Sequence, residues 1–307
     1  MFASYARKRY IPWKDWVFDT CNVLIMLMLI IVTLYPFWNT LAVSLNDAND
    51  SMRGGITLWP RVFTWKNYQY VFNEANIAHA TLISALRTLV GTVVTVFCSA
   101  MVGYTISRPE FVLRKFVSIA FVLTMYFSGG LIPTYLLMRD LHLINTFWIY
   151  ILPGIIGVFN LIIIRSFIEG LPEGIIESAK MDGAGDFTIF IRIALPLIVP
   201  VLATVALFSG VYQWNSWFDV FLYNSSNPKL STLQYELMKV LQNTNATMTS
   251  RTASDAFASS QALENNFVTP TSIRATMTIV ASVPIIMVYP FLQKYFVKGM
   301  TLGGVKE

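Results

Sequence analysis

The chain has 307 residues, of which 55% are hydrophobic and only 13% are charged, with a formal net charge of +5. Soluble globular domains carry about 25% charged residues, so a water-exposed body of this size would lack polar surface. The composition excludes an ordinary soluble domain and predicts an all-α polytopic membrane protein.

Six apolar runs are long enough to cross a bilayer, because about 20 helical residues cover a roughly 30 Å hydrocarbon core. In chain order the predicted spans are Val17–Ser44, Ala80–Ile106, Phe116–Met138, Phe147–Ile168, Leu195–Leu222 and Ile273–Val297. They predict a membrane domain over 17–298, an amino-terminal segment over 1–16 and a carboxyl-terminal tail over 299–307.

The distribution of positive charge predicts the orientation of these spans. With both termini on one side, thirteen Lys and Arg residues fall on that side and eight on the other, where the loops are longer. Positive residues accumulate in cytoplasmic loops, so both termini are predicted in the cytoplasm and loops 45–79 and 223–272 outside. The basic excess therefore indicates a lipid bilayer as the partner and no nucleic acid.

The two outer loops contain further helical patterns. In the first, Trp65–Phe72 is predicted to be a short helix, and in the second Leu233, Leu237 and Leu241 recur every four residues. That spacing predicts an amphipathic helix, followed by a polar loop over 243–266.

The loop over 169–196 is predicted to be cytoplasmic and yet contains apolar side chains. Pro172 favours the start of a helix, whose apolar face would contain Ile175, Ile176 and Ala179. The glycines of 182–185 would end that helix, and Asp186 would cap a second helix that runs to Pro196. Such a helix–turn–helix suits either a protein partner or an interfacial helix that lies on lipid.

The spacing within this loop resembles a family motif. Glu177-Ser178-Ala179, three residues, Gly183, nine residues, Ile193, one residue and Leu195-Pro196 is similar to the EAA loop of ATP-binding-cassette (ABC) importer permeases. Ser178 stands where the family has Ala. The resemblance implies a coupling helix that docks on an ATPase, through Glu177, Ser178, Ala179, Asp182, Gly183, Ala184, Ile193, Leu195 and Pro196.

Three further segments resemble the carbohydrate-uptake branch of that family. They are the tail 299–307, the pair Trp214-Asn215 and the stretch 126–133, which is similar to permeases for complex oligosaccharides. The resemblance implies a type I importer fold with six transmembrane helices in a bacterial plasma membrane. It also implies a second homologous permease subunit, two ATPase subunits, an oligosaccharide substrate and an extracytoplasmic solute-binding protein, expected to be a lipoprotein.

The chain is predicted to be a transport subunit rather than an enzyme. A P-loop requires Gly-Lys-Ser/Thr after a glycine, and the sequence contains no Gly-Lys pair. His79 and His142 are far apart, and Cys21 and Cys98 lie in or beside spans, so no metal ligand set is expected. No cofactor is expected in this chain, and ATP and Mg²⁺ would be bound by the partner ATPase subunits.

Polar and aromatic residues inside spans are candidates for the substrate pathway, because intramembrane polarity usually serves function. These candidates are Tyr212, Gln213, Trp214, Asn215, Trp217, Asp219, Gly129, Gly130 and Asn160. The residues around 212–219 could instead form an aromatic belt at the membrane interface, and Asn160 could contact a neighbouring helix. Arg87 is expected to snorkel outward or to pair with an acidic residue.

Two other functions remain open at this point. An importer permease for a polyamine, phosphate or amino acid would share the EAA-like loop. An ion-gradient carrier would be expected to show inverted repeats and charges at the bilayer midplane, which are not evident, and a receptor would not need a coupling loop.

Overall fold

The computed structural model describes residues 13–74, 77–249 and 269–302, and within these ranges the chain is helical. In chain order the helices are α1 Trp13–Ser44, α2 Ala48–Met52, α3 Lys66–Glu74, α4 Ile77–Ser107, α5 Arg114–Tyr126, α6 Leu131–Asp140, α7 Val158–Glu169, α8 Glu173–Met181, α9 Asp186–Ile189, α10 Leu195–Leu197, α11 Val199–Asn215, α12 Phe218–Tyr223, α13 Leu233–Thr249 and α14 Pro270–Leu302. Turns of 3₁₀-helix cover Phe147–Tyr150, Leu152–Gly154 and Pro228–Leu230, and a π-helix over Phe190–Ala194 joins α9 to α10.

Three helices are long and apolar enough to cross a membrane by themselves: α1, α4 and the first part of α14, Pro270–Val288. Three bent pairs reach the same length together, which gives up to six spans. The pairs are Arg114–Tyr126 with Leu131–Asp140, Phe147–Gly154 with Val158–Glu169, and Asp186–Leu197 with Val199–Asn215. The prediction of an all-α polytopic chain is therefore confirmed.

Three of the predicted spans are not continuous helices. The third bends by 120° between α5 and α6, where Gly130 has a φ of 86° that side chains rarely adopt. The fourth begins as 3₁₀ turns and bends by 51°, because Pro153 and two glycines disfavour α-helix there. The fifth bends by 82° at Ile198 and breaks again at Ser216, before α12.

Two local predictions are wrong. The polar loop expected over 243–266 is helical over 243–249, since α13 continues to Thr249; the remainder lies outside the described residues. A helix nucleated by the Leu233 repeat extends at little further cost, which explains the difference.

Asp186 does not cap α9 with its side chain: Gly185 is the N-cap, and Asp186 is the first helical residue. A carboxylate in the first turn still interacts favourably with the helix dipole.

Contacts divide the chain into two compact units, 1–69 with 255–279 and 70–254 with 280–307. In the described part of the first unit, the Asn67 side chain is buried and donates to the carbonyls of Ser44 (2.8 Å) and Asn46 (2.9 Å). The Asn46 amide, followed by Arg61, lowers the pKa of Asp50 by hydrogen bonding to its carboxylate. These bonds order the segment that follows α1.

In the second unit, α4 packs most extensively against α11 and α7. The core there joins α4, α7, α8, the π-helix and α11 through Ala100, Tyr104, Ile164, Ile168, Ile176, Ala179, Ile189, Phe190, Ala194, Ile198, Val201 and Val205. We call this set the loop core, because it attaches the 169–196 loop to three membrane helices.

Small residues let α4 approach its neighbours closely, as is common between membrane helices. A Cβ atom at Gly103 would lie 3.3 Å from Cγ2 of Ile164 and 3.5 Å from the backbone nitrogen of Arg165. The contact between α4 and α7 thus leaves little space beyond a Cβ atom at Gly103.

We expect Gly103→Leu to lower the stability of the chain by about 1–3 kcal/mol, because overpacking forces helices apart or side chains off their rotamers. Gly174→Leu is the matched control, since a Cβ atom at Gly174 would meet nothing within 4 Å. The measurement is the temperature at which detergent-solubilised protein loses its monodisperse elution. Equal midpoints for the two variants would contradict close packing of α4 on α7.

Candidate functional site: the 169–196 loop and a buried polar cluster

The turn between α8 and α9 forms as the glycine pattern predicts. Gly183 has a φ of 79°, and its backbone nitrogen donates to the Lys180 carbonyl at 3.0 Å. The backbone nitrogen of Ala184 donates to the Ala179 carbonyl, also at 3.0 Å. These bonds satisfy carbonyls at the end of α8, and the positive φ explains why a glycine occupies position 183.

The residues predicted to couple this loop to a partner separate into an anchored group and an exposed group. Ala179 is buried in the loop core, and three partly buried residues pack against it: Ala184, Ile193 and Leu195. The exposed group comprises Glu177, Ser178, Asp182, Gly183 and Pro196. The anchored group attaches the loop to the membrane helices, and the exposed group leaves a surface open for contact.

Two large apolar side chains on this surface were missed by the sequence analysis as contact residues. Met181 is 89% exposed and Phe187 is 67% exposed, on either side of the Gly183 turn. Ile175, expected on the buried face, is also exposed. The sequence offered one signal, the position of Met181 directly before Asp182-Gly183. Because α8 ends there, contact with a neighbouring helix no longer buries the Met181 side chain.

An ion pair connects the loop to the segment before α5. The Lys180 ammonium donates a hydrogen bond to Glu110, and this bond is the main reason why the pKa of Glu110 is lowered and that of Lys180 is raised. Because the Glu110 carboxyl stays ionised to lower pH, the pair persists at neutral pH and is lost as acidification protonates Glu110. Both side chains are substantially solvent-exposed, so the pair contributes little to stability.

Aromatic packing attaches the second half of the loop to α4. The ring centroids of Tyr104 and Phe190 lie 5.3 Å apart, and Phe190 is also near Phe97 at 6.1 Å. Phe190 begins the π-helix, whose wider turn precedes the 82° bend at the buried Ile198. Single π turns inside helices are frequent at functional sites.

A buried polar cluster lies at the other end of α11. Arg87 of α4 is 1% exposed, and its Nε donates to Oε1 of Gln213 at 2.9 Å. Its two terminal nitrogens donate to the carboxylate of Asp219, and Nη1 also donates to the Ser216 carbonyl at 3.3 Å. The guanidinium carbon lies 4.5 Å from the ring centroid of Tyr150. The expectation that Arg87 would pair with an acid is confirmed.

The remaining pathway candidates fall into different environments. Tyr212, Asn215, Gly129 and Gly130 are exposed, and Trp217 and Asp219 are partly buried. Trp214 is buried, and its indole nitrogen donates to the Ala281 carbonyl of α14 at 3.0 Å. The Asn160 amide donates to the Ser209 hydroxyl of α11 at 3.1 Å, so it contacts a neighbouring helix.

Comparison with known proteins gives consistent matches along the chain. The chain is 34% identical over 295 residues to the polygalacturonan/rhamnogalacturonan transport system permease protein YtcP of Bacillus subtilis, covering 95% of this chain and 99% of that protein. It is 29% identical over 280 residues to the arabinooligosaccharides transport system permease protein AraQ of Halalkalibacterium halodurans, covering 90% and 92%.

A solved structure has the same fold. A chain from the crystal structure of a bacterial ABC transporter involved in the import of the acidic polysaccharide alginate superimposes with a TM-score of 0.81 at 25% identity, covering 96% of this chain and 100% of that one. Residues 82–302 match the protein family described as "Binding-protein-dependent transport system inner membrane component". The chain therefore belongs to this family of multi-pass ABC importer permeases of the bacterial cytoplasmic membrane.

Proposed function

We propose that the chain is one of two permease subunits that together form the pathway for an oligosaccharide. The supporting observation is that its relatives are named as permeases for polygalacturonan/rhamnogalacturonan and for arabino-oligosaccharides. A similar fold occurs in an importer of alginate. Exposed aromatic and amide groups near the end of α11, such as Tyr212 and Asn215, suit a solute with apolar ring faces and many hydroxyls.

The substrate class is testable through the solute-binding protein that works with this permease. We expect that protein to bind oligogalacturonides or arabino-oligosaccharides in calorimetric titration, because such importers select the solute before it reaches the membrane. Amino acids, polyamines and phosphate serve as comparison ligands. A protein that binds one of these comparison ligands and no oligosaccharide would reject the carbohydrate assignment and favour a non-sugar importer.

We propose that the 169–196 loop transmits force from a pair of ATPase subunits on the cytoplasmic side. The exposed face of the loop is free to contact a partner, while its buried face belongs to the loop core shared with α4, α7 and α11. When the ATPase subunits close around ATP and Mg²⁺, displacement of α8 would move those helices as a body. Alternating access then follows as a two-state change driven by differential binding.

Gly183→Val is expected to uncouple ATP hydrolysis from transport. A side chain at a φ of 79° costs about 1–2 kcal/mol, and the turn would change shape to avoid that cost. Gly185→Val is the matched control, because Gly185 has a φ of −72° and equally open surroundings. Uptake and binding-protein-stimulated ATPase activity in proteoliposomes are measured together. Intact values of both for Gly183→Val would contradict the coupling role.

Phe187→Asp is expected to weaken assembly with the ATPase subunits while the permease still folds. Phe187 is exposed, so a charge there would not disturb the core, but it would have to be desolvated in an apolar contact. Thr188→Asp adds the same charge at the next exposed position. Co-purification of the ATPase subunits with tagged permease is the measurement. Equal recovery from both variants would show that Phe187 makes no such contact.

A further inference from the structure

Arg87 is a charged residue within a membrane-spanning helix, and it does not belong to the 169–196 loop or to the loop core. A charge at such a position is costly, and it is retained where it is paired and serves function. Its side chain is 2% exposed, and its guanidinium reaches three polar partners on other elements. The question is what this arrangement does for a transporter.

The three partners lie on the two sides of one helix break. Gln213 belongs to the last turn of α11, Ser216 lies in the break, and Asp219 belongs to the first turn of α12. Ser216 has an extended backbone with a ψ of 127°, so its carbonyl leaves the helical ladder and accepts a bond from Arg87 instead. One side chain of α4 therefore fixes both ends of the break.

The two oxygens of the Asp219 carboxylate accept different numbers of hydrogen bonds. Its Oδ1 accepts bonds from Nη1 of Arg87 (3.2 Å), the Ser216 hydroxyl (3.0 Å) and the Val220 backbone nitrogen (3.0 Å). Within the described part of the chain, Oδ2 accepts only from Nη2 of Arg87. A carboxylate has about four acceptor sites, and this side chain is 24% exposed. Oδ2 thus has acceptor capacity left for a donor from outside the chain.

Two aromatic rings and one amide lie close to Asp219 in the chain. The ring of Trp217 lies 5.7 Å from that of Phe218, which is exposed, and Asn215 is exposed at the end of α11. Sugars present hydroxyl donors and apolar ring faces. The Asp219 carboxylate can accept from the hydroxyls, and the aromatic rings can contact the ring faces. A charge-assisted hydrogen bond from a hydroxyl to a carboxylate is stronger than a bond between neutral groups.

We propose that Asp219 accepts a hydrogen bond from a hydroxyl of the transported sugar, and that Arg87 is the positioning residue that aims this carboxylate and balances its charge. The inference rests on the proposed function, because it requires a hydroxyl-bearing solute. It goes further in assigning one acceptor atom, Oδ2 of Asp219, and the buried cation behind it.

The test uses two double variants that remove both charges together, since a single neutral substitution would leave its partner charged and unpaired. Arg87→Gln/Asp219→Asn retains an acceptor oxygen at position 219, whereas Arg87→Gln/Asp219→Leu has none. A third variant, Asp219→Glu, retains the ion pair and displaces the acceptor by one methylene. Arg139→Gln/Asp140→Asn, which neutralises an exposed pair, is the control.

Each permease is reconstituted with its ATPase subunits and binding protein, and uptake of arabino-oligosaccharides and of oligogalacturonides is measured per folded complex. We expect Arg87→Gln/Asp219→Leu to transport about tenfold less than Arg87→Gln/Asp219→Asn. This factor corresponds to the loss of one hydrogen bond to the amide oxygen at position 219. Asp219→Glu is expected to lose uptake without a change in its unfolding midpoint, and the Arg139/Asp140 control to match the wild type.

Equal uptake by the two double variants, or full uptake by Asp219→Glu, would overturn the role of Asp219 and Arg87 and leave the proposed function intact. If the wild-type complex imports amino acids but neither sugar, the proposed function is wrong, and the inference falls with it. The wild-type measurement thus separates the two failures.

Discussion

The structure depends on one constraint: inside a bilayer, a polar group that leaves the helical hydrogen-bond ladder must find its partner within the protein. At the break, the Arg87 guanidinium donates a hydrogen bond to the Ser216 carbonyl, so each group has a partner. The Asp219 carboxylate balances the positive charge of Arg87. Removing one member of a buried pair typically costs about 3–5 kcal/mol, a large share of the stability of a folded protein. Elsewhere, at the break before α6, the Thr134 hydroxyl donates to the Gly130 carbonyl at 2.7 Å.

Apolar packing explains how a surface loop can be firmly attached to membrane helices. The loop places Ile176 and Ala179 inward, where they pack with Tyr104 and Phe190, and leaves Phe187 outside. Packing at this density transmits displacement because side chains cannot shift without creating a void. The inner face of the loop therefore packs on the chain's own helices, and its exposed face carries the proposed contact with a partner protein.

Hydropathy was sufficient to predict the all-α class and the continuous helices α1 and α4, because both segments are long and have a high mean hydropathy. The glycine at 183 predicted a turn through its permitted φ values, and this turn formed. The break at Ser216 was not predicted, and its carbonyl accepts a hydrogen bond from Arg87, which is distant in sequence. The alternatives of an ion-gradient carrier or a receptor are wrong, because the chain belongs to the importer permease family.

The two candidate sites lie at opposite ends of the same helices. α11 has 17 residues, so about 25 Å separate the bend at Ile198 from the break at Ser216. α4 runs beside it and contributes Tyr104 to the loop core and Arg87 to the polar cluster. Because α4 and α11 belong both to the loop core and to the polar cluster, the proposed displacement of the loop would carry Arg87 and Gln213 together. Asp219 lies in α12, beyond the break at Ser216. Under the two proposals above, it is the group whose hydrogen bond to a sugar the proposed motion of the 169–196 loop would change.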